Sequence, residues 1–194
     1  MMAEAQLVRP EIIVVGASAG GLHAFEAVLG GLPRGFPVPI VAVQHRARDS
    51  GDGYADLISR TTQLPVREVE DDDALRAPGV YLAPPDYHVL IEPGRIVLSI
   101  DDPVSYSRPS IDVLFESAAD VYGARVIGVL LTGANADGAK GLARIKQAGG
   151  YVIVQDPRSA ESPEMPAAGI AAAPVDQVLP LEDIARELVR RVPS

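Results

Sequence analysis

The sequence predicts an α/β protein: a doubly wound, mainly parallel sheet with helices on both faces and a small antiparallel hairpin excursion. The first observation is a set of apolar, β-branched runs that do not alternate with polar residues: Ile12-Ile13-Val14-Val15, Ile40-Val41-Ala42-Val43 and Val126-Ile127-Gly128-Val129-Leu130. Strands of this kind are buried on both faces, as in parallel sheets. The second is that these runs alternate with segments of helical periodicity, the order that crossovers between parallel strands require. The third is the one stretch that does alternate, His88 to Glu92 and Arg95 to Ser99 around Pro93-Gly94, which marks a hairpin outside the main pattern.

Glu11 to Gly16 is the expected first strand. Leu22 to Leu29 is the helix after it, with Leu22, Phe25, Val28 and Leu29 on one face and Gly30-Gly31-Leu32-Pro33 as its stop. Pro39 to Gln44 forms a second buried strand and delivers His45 at its carboxyl end. The polar segment RARDSGDG follows, then a helix over Tyr54 to Thr61 and a short strand over Pro65 to Val69. The acid run Glu70 to Asp73 reads as a solvated turn, since nothing nearby supplies a matching set of metal ligands. Gly79 to Ala83 is another strand, and the hairpin comes next. Pro109 to Tyr122 is a helix led in by Ser-Arg-Pro-Ser, with Ile111, Leu114, Phe115, Ala118 and Val121 at helical spacing. Arg125 to Leu131 is a buried strand that opens into Thr132-Gly133-Ala134-Asn135-Ala136-Asp137-Gly138. The helix Ala139 to Gln147 follows and ends at Gly149-Gly150. Tyr151 to Gln155 is a strand ending at Asp156, and residues 157–174, rich in Pro, Ala and Ser, mix loop with a short helix. Val175 to Leu179 is the last strand. Leu181 to Arg191, acidic at its start and basic at its end, complements the dipole of a closing helix.

With 194 residues and 47% hydrophobic content the chain suits one domain, residues 1–194, with a sizeable core. No apolar window approaches the ~20 residues that span a bilayer, so no membrane insertion is expected. The opening MMAEAQLVRP lacks the basic and apolar regions of a secretory signal, and a cytoplasmic location is the expectation. The absence of cysteine excludes disulfides, thiolate nucleophiles and cysteine-based zinc sites. A formal charge of −9 with 17 scattered Lys and Arg argues against nucleic acid as a partner.

In open parallel sheets, ligands bind outside the carboxyl ends of the strands. Strand one delivers Ser18 there, on the tight turn Gly16-Ala17-Ser18-Ala19-Gly20-Gly21. Strand two delivers His45, and the strand from Arg125 delivers Asp137. A serine hydroxyl needs an imidazole to take its proton and a carboxylate to orient that imidazole. Amides of Ala19, Gly20 and Gly21, at the start of a helix, can point unpaired toward a developing oxyanion. The pattern also fits the G-x-S-x-G elbow, although the chain order Ser, His, Asp differs from the Ser, Asp, His of α/β-hydrolases.

Taken singly, each residue has another reading. The turn is close to the dinucleotide fingerprint G-x-G-x-x-G, and phosphate binding, nucleophile presentation and a merely tight turn all fit it. The end of strand two discriminates, because a dinucleotide binder tends to place Asp or Glu there for the ribose, and this chain has His45. Asp137 could cap the helix that begins beside it. Asp156 is the runner-up acid, His23 reads as surface or wall, and His88 sits at the base of the hairpin.

Six pieces in collinear order resemble the catalytic domain of the CheB chemotaxis protein-glutamate methylesterases. They are GASAGG at Ser18, VQH at His45, VYLAPPDYH over Val80 to His88, RPSIDVLFESAA over Arg108 to Ala119, LTGANADGAKG over Leu131 to Gly141, and the QDP, MP and VDQVLPL pieces of the final third. The resemblance implies a Ser18-His45-Asp137 triad and an α/β fold that uses no cofactor and no metal. It also implies hydrolysis of γ-glutamyl methyl esters on the cytoplasmic helices of chemoreceptors, often with deamidation of receptor glutamines. Many family members carry a receiver domain before the first strand, which begins here about ten residues in. Control in cis is therefore expected to be missing, and a separate receiver-domain protein is a further candidate partner. Ala19 stands where the family frequently has Thr, and Ala134-Asn135 where it has Met-Gly. Glu164-Met165-Pro166 stands where it has Gly-Met-Pro. Ala134 and Met165 are thus candidate pocket-wall residues, and these changes bear on substrate preference and rate rather than on the triad. A non-catalytic adaptor of the same fold, binding a receptor or signalling partner, is the alternative.

Overall fold

The computed structural model describes residues 8–46 and 53–192. Most of the RARDSGDG segment and of the chain's opening lies outside them. In chain order the elements are β1 (Ile12–Ala17), α1 (Gly21–Gly30), β2 (Ile40–Gln44), α2 (Tyr54–Ser59), β3 (Val66–Glu68), β4 (Asp73–Ala74), β5 (Val80–Leu82), β6 (His88–Glu92) and β7 (Arg95–Ser99). Then come α3 (Ile111–Tyr122), β8 (Val126–Leu130), α4 (Ala139–Gln147), β9 (Tyr151–Gln155), α5 (Glu164–Ala172), β10 (Gln177–Leu179) and α6 (Leu181–Arg191). Among the described residues no helix is long and apolar enough to cross a membrane.

Seven strands form one sheet in the order β10-β9-β8-β1-β2-β5-β3, and all of its pairings are parallel. The expected doubly wound class is what is found. Successive residues of β1 point to opposite faces. Ile13 and Val15 pack with α1 and α6 through Phe25, Val28, Ile184 and Leu188, while Ile12 and Val14 pack with α3 and α4 through Ile111, Phe115, Leu142 and Ile145. Every residue of β1 is buried, which is why its sequence shows no alternation.

The chain leaves β1 toward β2 on one side, and β8 pairs on the other. The strand order therefore reverses at β1 and β8, and the crevice above that reversal is the expected place for a ligand.

The hairpin β6–β7 is antiparallel, as expected, and gains a third strand that sequence pattern did not reveal, β4. The acid run is indeed a turn, and Asp73 goes on from it into β4. Its carboxylate accepts from Arg67 and from the Glu70 amide, and Asp71 accepts from the Leu98 amide. One expectation for α1 fails: Leu22 is exposed, and Ala24 takes the buried place beside Phe25, Val28 and Leu29. The face of α1 is set by its contact with α6 and β1, which turns Leu22 outward.

Gly16, near the end of β1, packs directly against the start of α3. A Cβ added there would sit 2.3 Å from Cγ2 of Ile111, the first residue of α3. Ile111 is β-branched and fully buried, so it cannot swing aside. Gly16→Ala is expected to cost about 1–3 kcal/mol through overpacking. That corresponds to a fall in thermal midpoint of roughly 2–12 °C for a chain of this size, read by circular dichroism; an unchanged midpoint would contradict the packing described.

Candidate active site

The turn after β1 is built from backbone bonds. The Ser18 amide donates to the Thr132 carbonyl (2.9 Å), and the Ser18 carbonyl accepts from the Gly21 amide (2.9 Å) and from Nε2 of Gln44 (2.7 Å). The Tyr54 hydroxyl donates to Oε1 of Gln44 and fixes that amide's orientation. Thr132 Oγ1 donates to the Ala19 carbonyl (2.9 Å). Gly20 has φ +77°, and a Cβ there would meet Glu161; a Cβ on Gly21 would lie 2.1 Å from Oε1 of Gln44. The glycine pair is thus accounted for by packing within the protein, without a bound phosphate. The expectation that all three amides point unpaired needs one correction. The Gly21 N–H closes the turn onto Ser18, which leaves the amides of Ala19 and Gly20.

His45 follows β2 directly. Ala17 is opposite Gln44 in the parallel register, and the His45 amide donates to the Ala17 carbonyl (3.1 Å), so Ser18 and His45 are the next positions on adjacent strands. The backbones of such neighbours run about 4.8 Å apart. Nε2 of the His45 ring lies 2.7 Å from Oδ2 of Asp137.

Asp137 is buried and accepts on every side. Oδ2 takes the Ile111 amide (2.7 Å) as well as His45, and Oδ1 takes the Ser110 hydroxyl (2.8 Å) and the Asp112 amide (3.1 Å). Its carboxylate therefore caps the N-terminus of α3, not α4, the helix beside it in sequence. Asp112 returns the arrangement by accepting from the Gly141 amide in the first turn of α4 (2.8 Å). Burial alone would raise the Asp137 pKa. The His45 hydrogen bond and the amides of Ile111 and Asp112 outweigh it, so the carboxyl sits below its ordinary value of 3.8. Burial pushes Asp112 the other way; the Gly141 amide opposes the rise and the charge of Asp137 adds to it.

An ionised Asp137 can only accept, so the His45 proton is on Nε2 and the lone pair is on Nδ1. Asn135 stands on that side. Its Oδ1 accepts from the Asp137 amide (3.0 Å), which aims Nδ2 at Nδ1 of His45, 3.4 Å away.

The loop after β8 is held from below. The Thr132 amide donates to Gln155 Oε1 (2.9 Å), and the Ser162 amide donates to Thr132 Oγ1 (2.9 Å). Met165, expected as pocket wall, is instead fully buried beneath Gly133, where a Cβ would meet its thioether at 2.6 Å. Ala134 is exposed on the same loop. The runner-up acid Asp156 is committed to Arg158 and to capping a short turn over Pro157–Ser159. His23 is exposed on α1, and His88 is buried between the Ser110 amide and the Asp102 carbonyl. Sequence reasoning missed Gln44, Ser110 and Thr132. The cue for each is a polar residue at a strand end or helix start inside an otherwise apolar context.

The CheB methylesterase family model matches residues 13–188. The chain belongs to the CheB methylesterase family. A provisionally named protein-glutamate methylesterase/protein-glutamine glutaminase of Leptospira interrogans is 47% identical over 182 residues, covering 93% of this chain and 94% of that protein. Protein-glutamate methylesterase/protein-glutamine glutaminase 2 of Anaeromyxobacter dehalogenans is 45% identical over 186 residues, 96% of this chain and 54% of that one. Among solved structures, the crystal structure of the Thermotoga maritima CheB methylesterase catalytic domain superposes with a TM-score of 0.89 at 34% identity, covering 94% of this chain and 99% of that one. Within this CheB fold, His45 is bonded to Asp137 and follows β2 at the position beside Ser18 on the neighbouring strand, at the carboxyl ends of the strands where their order reverses. Beside them lies a cavity of about 430 Å³ lined by His45, Arg46, Asp86, Tyr106 and Arg108.

Proposed function

We propose that this chain is a serine esterase that hydrolyses γ-glutamyl methyl esters on the cytoplasmic helices of chemoreceptors, with Ser18 as nucleophile, His45 as base and Asp137 as the group that orients it. The observation that carries the reading is the buried, four-donor setting of Asp137 against His45, one strand spacing from Ser18. A carboxylate fixed by two helix amides and a hydroxyl stays ionised, holds the imidazole proton on Nε2 and turns Nδ1 into the proton acceptor.

Nδ1 of His45, giving up its 3.4 Å contact with Nδ2 of Asn135, takes the Ser18 proton as Oγ bonds to the ester carbonyl carbon, and the amides of Ala19 and Gly20 hold the oxyanion. The C–OCH3 bond then breaks, and the same proton passes from Nδ1 to the leaving methoxide, which departs as methanol. Water attacks the acyl-serine with its proton going to Nδ1. Ser18 recovers that proton when the acyl bond breaks, and the glutamic acid released gives its remaining proton to solvent. The amide of a glutamine side chain can enter by the same route with ammonia as the leaving group, which supports the second activity in the names of the relatives.

Incubation with a fluorophosphonate tests this reading. A single adduct on the peptide that contains Ser18, with methanol release from a methylated chemoreceptor cytoplasmic fragment falling in step with labelling, is the expected result. Undiminished release from fully labelled protein would overturn it.

A further inference from the structure

The segment between β7 and α3 carries an aromatic ring that the fold itself does not use. Tyr106 is fully exposed, at 104% of its reference surface, and Ile100 nearby in sequence is 74% exposed. Ser105 and Tyr106 have φ values of +50° and +63°. They form the tip of a two-residue hairpin closed by paired bonds between Val104 and Ser107. Positive φ at both central positions is the pattern of a type I′ turn, whose favoured residues are Asn and Gly. Ser-Tyr takes that conformation against its steric preference, and the result is a ring lifted clear of the surface.

The hairpin's base is tied to the fold by hydrogen bonds. Arg108 donates to the carbonyls of Ile100 and Asp101 (2.9 and 3.0 Å) and to Oδ1 of Asp86 (3.0 and 2.7 Å). His88, 2% exposed, accepts the Ser110 amide on Nδ1, so its Nε2 carries the proton and donates to the Asp102 carbonyl (3.1 Å). Ser110 is the residue whose hydroxyl binds Asp137. The segment presenting Tyr106 is therefore clamped to the same structure that orients His45, and Tyr106 and His45 line one cavity.

We propose that Tyr106 is a docking residue for the polypeptide that bears the ester, packing on apolar side chains next to the glutamyl residue being hydrolysed. This rests on the esterase reading of Ser18, His45 and Asp137. A glutamyl side chain is short, so when its ester is in the crevice the backbone of the substrate protein lies across the rim, where Tyr106 stands. An aromatic ring with few rotatable bonds, held on a clamped turn, loses little freedom on contact and suits this task.

Tyr106→Gly removes the ring and gives the turn a residue it favours, so the thermal midpoint is expected to hold or rise. With a methylated chemoreceptor cytoplasmic fragment, kcat/KM is expected to fall roughly tenfold through KM, the scale of losing an aromatic anchor. With the γ-methyl ester of N-acetylglutamate, kcat/KM is expected to stay within twofold. Equal losses on both substrates, or no loss on the protein substrate, would overturn the proposal. Ser18→Ala, assayed in parallel, separates the two claims. If it retains activity on both esters, the assignment of Ser18 as nucleophile fails, and the docking claim is then decided by the affinity of the fragment for Tyr106→Gly against the unaltered chain.

Discussion

Ser18→Ala is expected to lower kcat for methyl ester hydrolysis by about 10⁴–10⁶-fold, the range seen when the nucleophile of a serine triad is removed. The variant isolates the hydroxyl, because the bonds that shape the turn run through the Ser18 backbone. The amide donates to Thr132, and the carbonyl accepts from Gly21 and Gln44. None of these changes when Oγ is deleted, and neither does the packing of Gly20 and Gly21 against Glu161 and Gln44. The thermal midpoint is therefore expected to stay within about 2 °C, the shift produced by less than ~1 kcal/mol in a chain of this length. Affinity for the methylated fragment should persist, since the contacts at the cavity are untouched. Methanol release measured under single-turnover conditions checks the first point, and a kcat within tenfold of the unaltered protein would remove Ser18 from the reaction. That outcome would place the nucleophile elsewhere in the chain, whereas no methanol release from the unaltered protein, with fragment binding retained, would favour the non-catalytic adaptor.

The parts of the fold that were legible in the sequence are those whose signal is local. The boundaries of β6, β7, α4, β9 and α6 coincide with the residues expected for them, because each has Gly, Pro or Asp on at least one flank of an alternating, helical or unbroken apolar pattern. Strand β4 was not legible. Its two residues, Asp73 and Ala74, carry no apolar pattern and pair with β7 in a segment held by contacts at a distance in sequence, Arg67 with Asp73 and the Leu98 amide with Asp71. Leu22 misled because apolar spacing on a helix fixes a stripe but not its width, and contact with α6 decided that the stripe runs through Ala24.

The site divides in the same way. Ser18, His45 and Asp137 each follow a buried strand, so a rule about strand ends singles them out as candidates. What the rule cannot find is who holds them. Ser110 reads locally as a helix cap, yet its hydroxyl donates to Asp137, 27 positions away. Asp137 reads as a cap for α4 and caps α3 instead, and Gly21 reads as an open donor but closes its own turn. Each of these depends on how two helix starts lean over one strand end, which Gly16 permits and no local pattern records.

Asp137→Asn is expected to cost about 10⁴-fold in kcat and to destabilise the fold as well. The carboxylate receives four donors: the His45 ring, the Ser110 hydroxyl, and the amides of Ile111 and Asp112. A carboxamide replaces one acceptor oxygen by an NH2, so whichever way it faces, a helix amide loses its partner. A buried donor left unsatisfied costs roughly 1–3 kcal/mol, while the Ser110 hydroxyl can rotate to serve as acceptor. If the NH2 faces His45, the ring can answer only by moving its proton from Nε2 to Nδ1. The lone pair then points at the carboxamide, and Nδ1, the proposed acceptor of the Ser18 proton, carries a hydrogen in place of a base. The pH dependence separates the two effects. The folded-state pKa of Asp137 lies below its unfolded value near 3.8, so its stabilising contribution is fully present above that value and is lost as pH falls through the folded-state pKa. The difference in stability between the unaltered chain and Asp137→Asn should therefore be constant from pH 6 to 7 and shrink in acid, while the loss of kcat persists at every pH where the protein is folded. Urea melts at neutral and acid pH, with kcat measured alongside, test both statements; a gap in stability that widens toward acid would show that the carboxylate is not held as described.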